Sequence, residues 1–412
     1  MKPSLDAVRA QFPAFDRVLD GTPAAYFDAP GGTQVPIVVA DAVRDYLLHH
    51  NANTHWAFPT SVETDAMIGR ARAAAADLLG ADAGEIAFGN NMTTLTFHVA
   101  RALGRNWGPG DEVIVTELDH HANVAPWQAL VRDRGITLRT VPLSADQRSL
   151  DMAAFKSLLG PRTRLVAMGA ASNAIGTITD AVPVAELTHA AGALLYTDAV
   201  HYAPHELVDV RAMGSDLLAC SAYKFCGPHV GILYVRAGLA QSLDVPKLEP
   251  APDSAPERFE TGTLNHEGIA GVEATVNFLA GLDGTAGSRR ERLRRAYGWL
   301  HSQGEELFAR LWNGLAGIPG VTLYGHPPAG LRRTPTVAFT LAGVPSSEVA
   351  RALATRGVYV SDGDFYATTV VQRLGLGGSG LIRAGCACYT SADEVDRLIA
   401  GLREFSGHAA MA

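Results

Sequence analysis

Between about residues 85 and 220, short apolar runs alternate with helical stretches in a way few folds accommodate. Strands are predicted at Ile86–Phe88, Glu112–Thr116, Thr137–Val141, Arg164–Met168 and Ala193–Tyr196. Helices are predicted between them at Leu95–Leu103, Val124–Asp133, Asp151–Leu159 and Val182–Ala191. Strands that alternate with helices pair in parallel, because each helix carries the chain back to the starting edge. The expectation is an α/β fold with a mostly parallel sheet flanked by helices. Ligands of such sheets bind at the carboxyl ends of the strands. The polar clusters Asn91–Thr94, Asp119–His121, Asn173 and Asp198–His201 all fall there.

A second feature lies just beyond. Two apolar runs, Asp216–Cys220 and Gly231–Val235, flank a short turn that carries Lys224. The chain has 34 Lys plus Arg, of which only Lys2, Lys156, Lys224 and Lys247 are lysines. Arginine keeps its proton near neutral pH, whereas a desolvated lysine can lose it and become a nucleophile or Schiff-base former. The alternative is a lysine whose stem packs while its head reaches water.

The rest of the composition narrows the class of protein. With 47% hydrophobic and 18% charged residues, the chain reads as globular, with length enough for two or three domains. A net charge of −8 with both signs interspersed leaves no basic patch for nucleic acid. The first sixteen residues lack the apolar core of a signal peptide, and no apolar run reaches the ~20 residues that span a bilayer. Cys220, Cys226, Cys386 and Cys388 form neither a zinc-ribbon spacing nor a disulfide framework, which points to a reducing cytoplasm. His120 and His121 have no third ligand at a matching spacing, so no metal is expected. The turn after Phe88 contains no G-x-G-x-x-G and no Walker lysine, which argues against a nicotinamide or nucleotide enzyme. As a glycine- and asparagine-started turn opening a helix, it is an anion site in principle.

Outside the central run, Ser4 is a predicted N-cap for a helix to about Phe12, and Ala29–Gly32 form a tight loop. Helices are expected at Ile37–His49 and Thr64–Leu79, separated by the irregular aromatic loop Asn51–Pro59 with His55, Trp56 and Phe58. Pro246–Pro256 is a connection, Ile269–Leu282 an apolar helix, and 281–287 a turn-rich break. A long helix, Arg289–Trp312, then opens a smaller α/β region. Its further elements are expected at Val321–Tyr324, Thr336–Thr340, Ser347–Thr355, Val358–Val360, Leu381–Ala384 and Asp393–Leu402, before an unstructured tail from Ser406. The expected division is a large domain over 20–285 and a small domain over 1–19 and 286–412.

A lone lysine, a strand-end Asp, His and Asn, and an anion site at a helix start together suit pyridoxal 5′-phosphate. That cofactor needs an amine for its aldehyde, a carboxylate for its ring nitrogen and donors for its phosphate. In their order these motifs resemble the class V aminotransferase family of fold-type I pyridoxal phosphate enzymes, and most closely its cysteine desulfurase and selenocysteine lyase branch. The likeness runs from Tyr26-Phe27-Asp28 to Thr390–Asp396. The family's E-H-H-A-N-x-x-P-W-Q stands here as Asp119–Gln128, S-N-x-x-G as Ser172–Gly176, and D-x-x-Q/H as Asp198–His201. S-x-H-K-x-x-G-P is Ser221–Pro228, R-F-E-x-G-T is Arg258–Thr263, and the R-x-x-x-x-x-Y-N-T element is Arg383–Thr390.

The resemblance implies that Lys224 is the Schiff-base lysine and proton shuttle, that Asp198 holds the pyridinium, and that His120 stacks on the ring. It implies Asn173 and His201 at the ring oxygen, and Thr93, the Met92 amide, Ser221 and Tyr223 at the phosphate. Thr263 would reach the phosphate of the neighbouring subunit in a homodimer, and Arg383 would clamp the substrate α-carboxylate. Gly31, His55 and Tyr366 are expected to border the substrate.

Departures from the pattern bear on the reaction. Where the family's desulfurases carry G-H-H-C-A with a sulfur-accepting cysteine, this chain has Gly363-Asp364-Phe365-Tyr366-Ala367. A phenol with a reference pKa of ~10 does not accept sulfane sulfur as a thiolate does. Tyr223 also replaces the His before the lysine, and Cys386 and Cys388 are expected to serve packing. The primary expectation is therefore a lyase acting on an α-amino acid by β-elimination of sulfur. The alternatives are epimerisation or transamination from the same carbanion, and a non-catalytic cofactor-binding scaffold of a sulfur-transfer system.

Overall fold

The computed structural model describes residues 3–329 and 331–409. Seven strands form its main sheet: β1 (Ile86–Gly89), β2 (Glu112–Thr116), β3 (Thr137–Val141), β4 (Thr163–Gly169), β5 (Leu194–Asp198), β6 (Leu217–Ser221) and β7 (Gly231–Val235). Their spatial order is β1-β7-β6-β5-β4-β2-β3. Only β7 runs against its neighbours, pairing antiparallel with β1 and with β6. The other neighbouring pairs are parallel. The predicted α/β class is what the chain adopts.

Because the sheet is covered on both faces, successive strand residues feed two cores. Ile114, Leu195, Leu218 and Cys220 pack on one side with the helices Pro59–Leu79 and His266–Gly281. Val113, Val115, Tyr196 and Ala219 pack on the other with Met92–Gly104 and Ala125–Arg134. Burial on both faces explains why these strands read as continuous apolar runs rather than as alternation.

A second sheet, β8 (Val321–Tyr324), β9 (Thr336–Leu341), β10 (Ser361–Gly363) and β11 (Leu381–Gly385), has the order β8-β9-β11-β10 and is antiparallel throughout. It packs its own core against helices Arg289–Ala316, Ser346–Ala354 and Ala392–Ala409. Ala25 and Phe27 also join that core, because Ala25–Tyr26 pairs in parallel with Val358–Tyr359.

The structure corrects several expected boundaries. The helix predicted from Thr64 begins at Pro59, whose fixed φ suits a first helical position, so the aromatic loop ends at Phe58. Val358–Val360 was expected as a strand of the small region. It is instead a two-residue strand paired outside the second sheet, and the chain re-enters that sheet at β10. A helix at Thr368–Arg373 had no sequence signal. The tail expected to lack structure from Ser406 continues the last helix to Ala409, and 410–412 lie outside the described residues. No helix among the described residues is long and apolar enough to cross a membrane.

Candidate active site

The carboxyl ends of β2, β4, β5 and β6 and the start of the helix Met92–Gly104 converge on one cavity of about 840 Å³. It collects Gly31, Met92, Thr93, His120, Asn173, Asp198, His201, Ser221, Tyr223, Lys224, Tyr366 and Arg383, nearly every residue the sequence nominated. Two nominated residues are elsewhere in their own chain. His55 is largely exposed, 3.3 Å from Asp65, and Thr263 is exposed beside a smaller depression with Thr94 and Asn265.

Lys224 sits in the short helical turn between β6 and β7, where Ser221 pairs with Gly231. Its Nζ donates to the carbonyls of Pro30 (2.5 Å) and Gly31 (2.9 Å) and lies 4.9 Å from the Tyr223 ring centroid. Burial, reinforced by the positive charge of Arg383, pulls its pKa down to about 8. Gly31 lets the Asp28 carboxylate fold back over it: a Cβ there would lie 2.4 Å from that side chain and would have to push it aside. Tyr223 in turn stacks on His229 with centroids 4.8 Å apart.

Asp198 ends β5 buried. Its Oδ1 accepts the Val200 N–H at 2.9 Å, and burial pushes its pKa up to about 6 against the pull of that bond and of Lys224. His120 is held with its Nδ1 accepting the Ala122 N–H at 3.0 Å. Burial and the charges of Lys224 and Arg383 lower its pKa to about 4, so the ring is neutral at ordinary pH. Beneath it, Asp119 ties two strand ends together by accepting the Thr116 N–H (2.9 Å) and the Gly169 N–H. Desolvation, with the Asp198 charge adding to it, raises Asp119 to about 7.

At the helix start, Asn91 caps Thr94 N–H at 2.9 Å and the Met92 N–H donates to Ser221 Oγ at 3.0 Å. The turn presses against β7 because residue 231 is glycine: a Cβ there would lie 2.6 Å from the Asn91 carbonyl carbon. Arg383, on β11, reaches the cavity from the second sheet. Its Nε donates to Ser361 Oγ (3.2 Å), its Nη1 to Asn173 O (2.9 Å), and Nη2 lies 3.5 Å from Asp28 Oδ1.

Several of these supporting groups escaped the sequence. Ser361 faces Arg383 only through the β10–β11 register, and Asp28 reaches it through a bridge to Gly385. Thr334 and Thr336, at 3.0 and 3.1 Å, hold Nε2 of His201. A Thr-Pro-Thr ahead of a strand carries no local mark of that role.

This arrangement defines a class: a doubly covered, mostly parallel sheet presenting a buried lysine and a strand-end Asp to a cavity that a buried Arg enters from a second sheet. Residues 25–398 match the family model for aminotransferase class-V, and the chain belongs to that family, whose members use pyridoxal 5′-phosphate. Its relatives include a cysteine desulfurase of Dickeya dadantii, 33% identical over 97% of this chain and 96% of that protein. Among solved structures, a cysteine desulfurase of Thermococcus onnurineus superposes with a TM-score of 0.88 at 27% identity, covering 99% of both chains. The Escherichia coli cysteine desulfurase CsdA, in an S-sulfonic acid form, gives 0.84 at 27% identity over 99% of both chains.

The residues present fit the cofactor. His201 Nδ1 and Asn173 Oδ1 are buried without a hydrogen-bond partner, a state that is expensive unless a group is meant to occupy the space they face. The neutral His201, kept so by burial first, leaves that ring nitrogen unpaired. All four cysteines are buried and none lines the cavity. Burial raises the Cys386 thiol to about 12. Cys226 and Cys388 lie with sulfurs 3.8 Å apart in packed surroundings.

Proposed function

We propose that this enzyme eliminates a β-sulfur substituent from an α-amino acid, as a C–S lyase, rather than forming a protein persulfide. The observation that carries the reading is the absence of a thiol from the cavity, together with Tyr366 at its mouth where a sulfur acceptor would stand.

In this reading pyridoxal phosphate, when bound, supplies an electron sink that lowers the barrier to losing the Cα proton. Asp198 would hold its ring nitrogen, His120 would cover its face, and Asn173 and His201 would take the ring oxygen. The Met92 amide, Thr93, Ser221 and Tyr223 would bind the phosphate. Lys224 would anchor the cofactor and, as a free amine, would take the Cα proton of the substrate. A pKa of about 8 leaves a useful neutral fraction near pH 7, as a general base requires. Arg383 holds the α-carboxylate by its guanidinium fork. The sulfur then leaves to solvent. A non-catalytic scaffold has no need of Lys224, Asp198 and Arg383 together, which argues against that alternative.

The exposed apolar residues Ile37, Val38, Leu47, Leu48, Phe58 and Val62 support a homodimer, in which the exposed Thr263 would serve the partner's phosphate.

The deciding experiment incubates purified holoenzyme with L-cysteine or L-cystine and assays pyruvate together with the sulfur product. Pyruvate with sulfide from cysteine, or pyruvate with thiocysteine from cystine, abolished by Lys224→Ala, is the expected result. Alanine with a protein-bound persulfide would restore the desulfurase reaction. Loss of α-deuterium without elimination would favour epimerisation or transamination.

A further inference from the structure

The segment 363–367 is fastened over the site by its backbone and covers Arg383 with a side chain. Phe365 and Tyr366 both have φ of 56°, a left-handed conformation that bulky residues rarely adopt. Two consecutive residues of this kind persist only where surrounding contacts impose them, and they gather at clamps and switch regions. Here the contacts are explicit. Asn173 Nδ2 donates to the Phe365 carbonyl at 2.9 Å, and the His121 N–H donates to the Tyr366 carbonyl at 2.7 Å. Asp364 accepts from the Tyr366 N–H (3.0 Å) and from Thr368 Oγ1 (3.1 Å).

In this posture the Phe365 ring lies on the guanidinium of Arg383, 4.0 Å from its centroid. Ser361, the Asn173 carbonyl and Asp28 surround the edges, and the Arg383 side chain is only 4% exposed. A carboxylate bound by two parallel N–H bonds needs the guanidinium edge open. The docked segment also holds the amide of Asn173, whose Oδ1 is still unpartnered, so a group seated on Asn173 and the segment draw on one side chain.

We infer that Phe365 is a specificity-determining gate on Arg383. Its ring leaves the arginine when an α-carboxylate arrives, so ligands with that carboxylate displace it and ligands without one do not. The inference rests on Arg383 being the carboxylate anchor.

The test compares two amines that cannot lose a β-substituent, L-alanine and ethylamine, which differ in the α-carboxylate. Each is titrated into holoenzyme and followed by the cofactor's visible absorbance. Phe365→Ala is expected to tighten L-alanine by about tenfold, within the range of a desolvated cation–π contact, and to leave ethylamine unchanged. Equal shifts for both ligands, no shift, or weaker L-alanine binding would overturn the gate. Hydrogen exchange of residues 363–367 in the wild-type protein gives an independent reading should the variant fold poorly. Exchange there rises with L-alanine and not with ethylamine if the gate opens; unchanged or slower exchange would overturn it. Arg383→Gln separates the two levels. If it leaves L-alanine binding intact, the anchor assignment is wrong, whatever Phe365 does.

Discussion

Replacing Lys224 by Met in the cofactor-free protein isolates the strain of burying an amine. The two side chains are similar in length, and methionine carries no charge to desolvate. Burial, then the charge of Arg383, moves Lys224 from 10.5 to about 8, while Asp28 and Asp198 pull the other way. In the unfolded chain the amine returns to its ordinary value. Between these two pKa values the unfolded state binds more protons than the folded state, so folding stability contributed by Lys224 rises with pH across that window. Below it, the folded state holds a protonated amine at a penalty of about 3 kcal/mol, from roughly 1.4 kcal/mol for each tenfold change. The penalty falls to about 2 kcal/mol near pH 9 and below about 1 kcal/mol near pH 10. Lys224→Met removes this pH-dependent part, and its packing effect does not vary with pH. Denaturant unfolding of both apo proteins should therefore show the variant's relative stability greatest near pH 7 and declining by about 2–3 kcal/mol by pH 10. A stability difference that stays flat across that range, or grows with pH, would refute the buried, depressed amine on which the catalytic role proposed for Lys224 depends.

Two further outcomes test the frame around the site. Glu260 accepts from Arg72 Nη1 at 2.7 Å, Arg72 Nη2 at 2.8 Å and the Phe88 N–H at 2.8 Å, with both side chains nearly buried. Glu260→Gln leaves the buried guanidinium with only the longer contact to the more exposed Glu257, at 3.9 Å, and should lower unfolding stability by about 3 kcal/mol; a loss below about 1 kcal/mol in denaturant titration would show that the pair is dispensable. The four buried thiols should react with an aromatic disulfide reagent roughly 100-fold more slowly than free cysteine at about pH 8, and all should titrate once the protein is unfolded. A thiol that reacts rapidly in the folded protein would reopen the persulfide route.

What the sequence disclosed was whatever is local. Strand-then-helix alternation is written in contiguous residues, because a strand buried on both faces must be apolar throughout, as Val113–Val115 and Leu217–Cys220 are. Strand-end placement of Asn173, Asp198 and Lys224 follows directly, since in a parallel sheet every such end lies at one edge. The strand-end part of the main cavity is therefore legible in the sequence. Arg383 was nominated by resemblance, but the groups that orient it were out of reach. Ser361 meets it only because β10 and β11 pair in one particular register, and a slip of one residue would turn Ser361 to the opposite face. Asp28 arrives from more than three hundred residues away, through a bridge to Gly385. Thr334 and Thr336 reach His201 across the boundary between the two sheets.

Phe365 shows the same limit at the level of the backbone. Its aromatic character was plain, yet its contact with Arg383 depends on two left-handed residues that intrinsic preference opposes. They are held by the Asn173 amide and the His121 N–H, donors contributed by two separate strand ends. A sequence discloses a site when each group follows from its own neighbours. It conceals those features that exist only because distant elements outvote the local preference, and in this enzyme those are the features that surround Arg383.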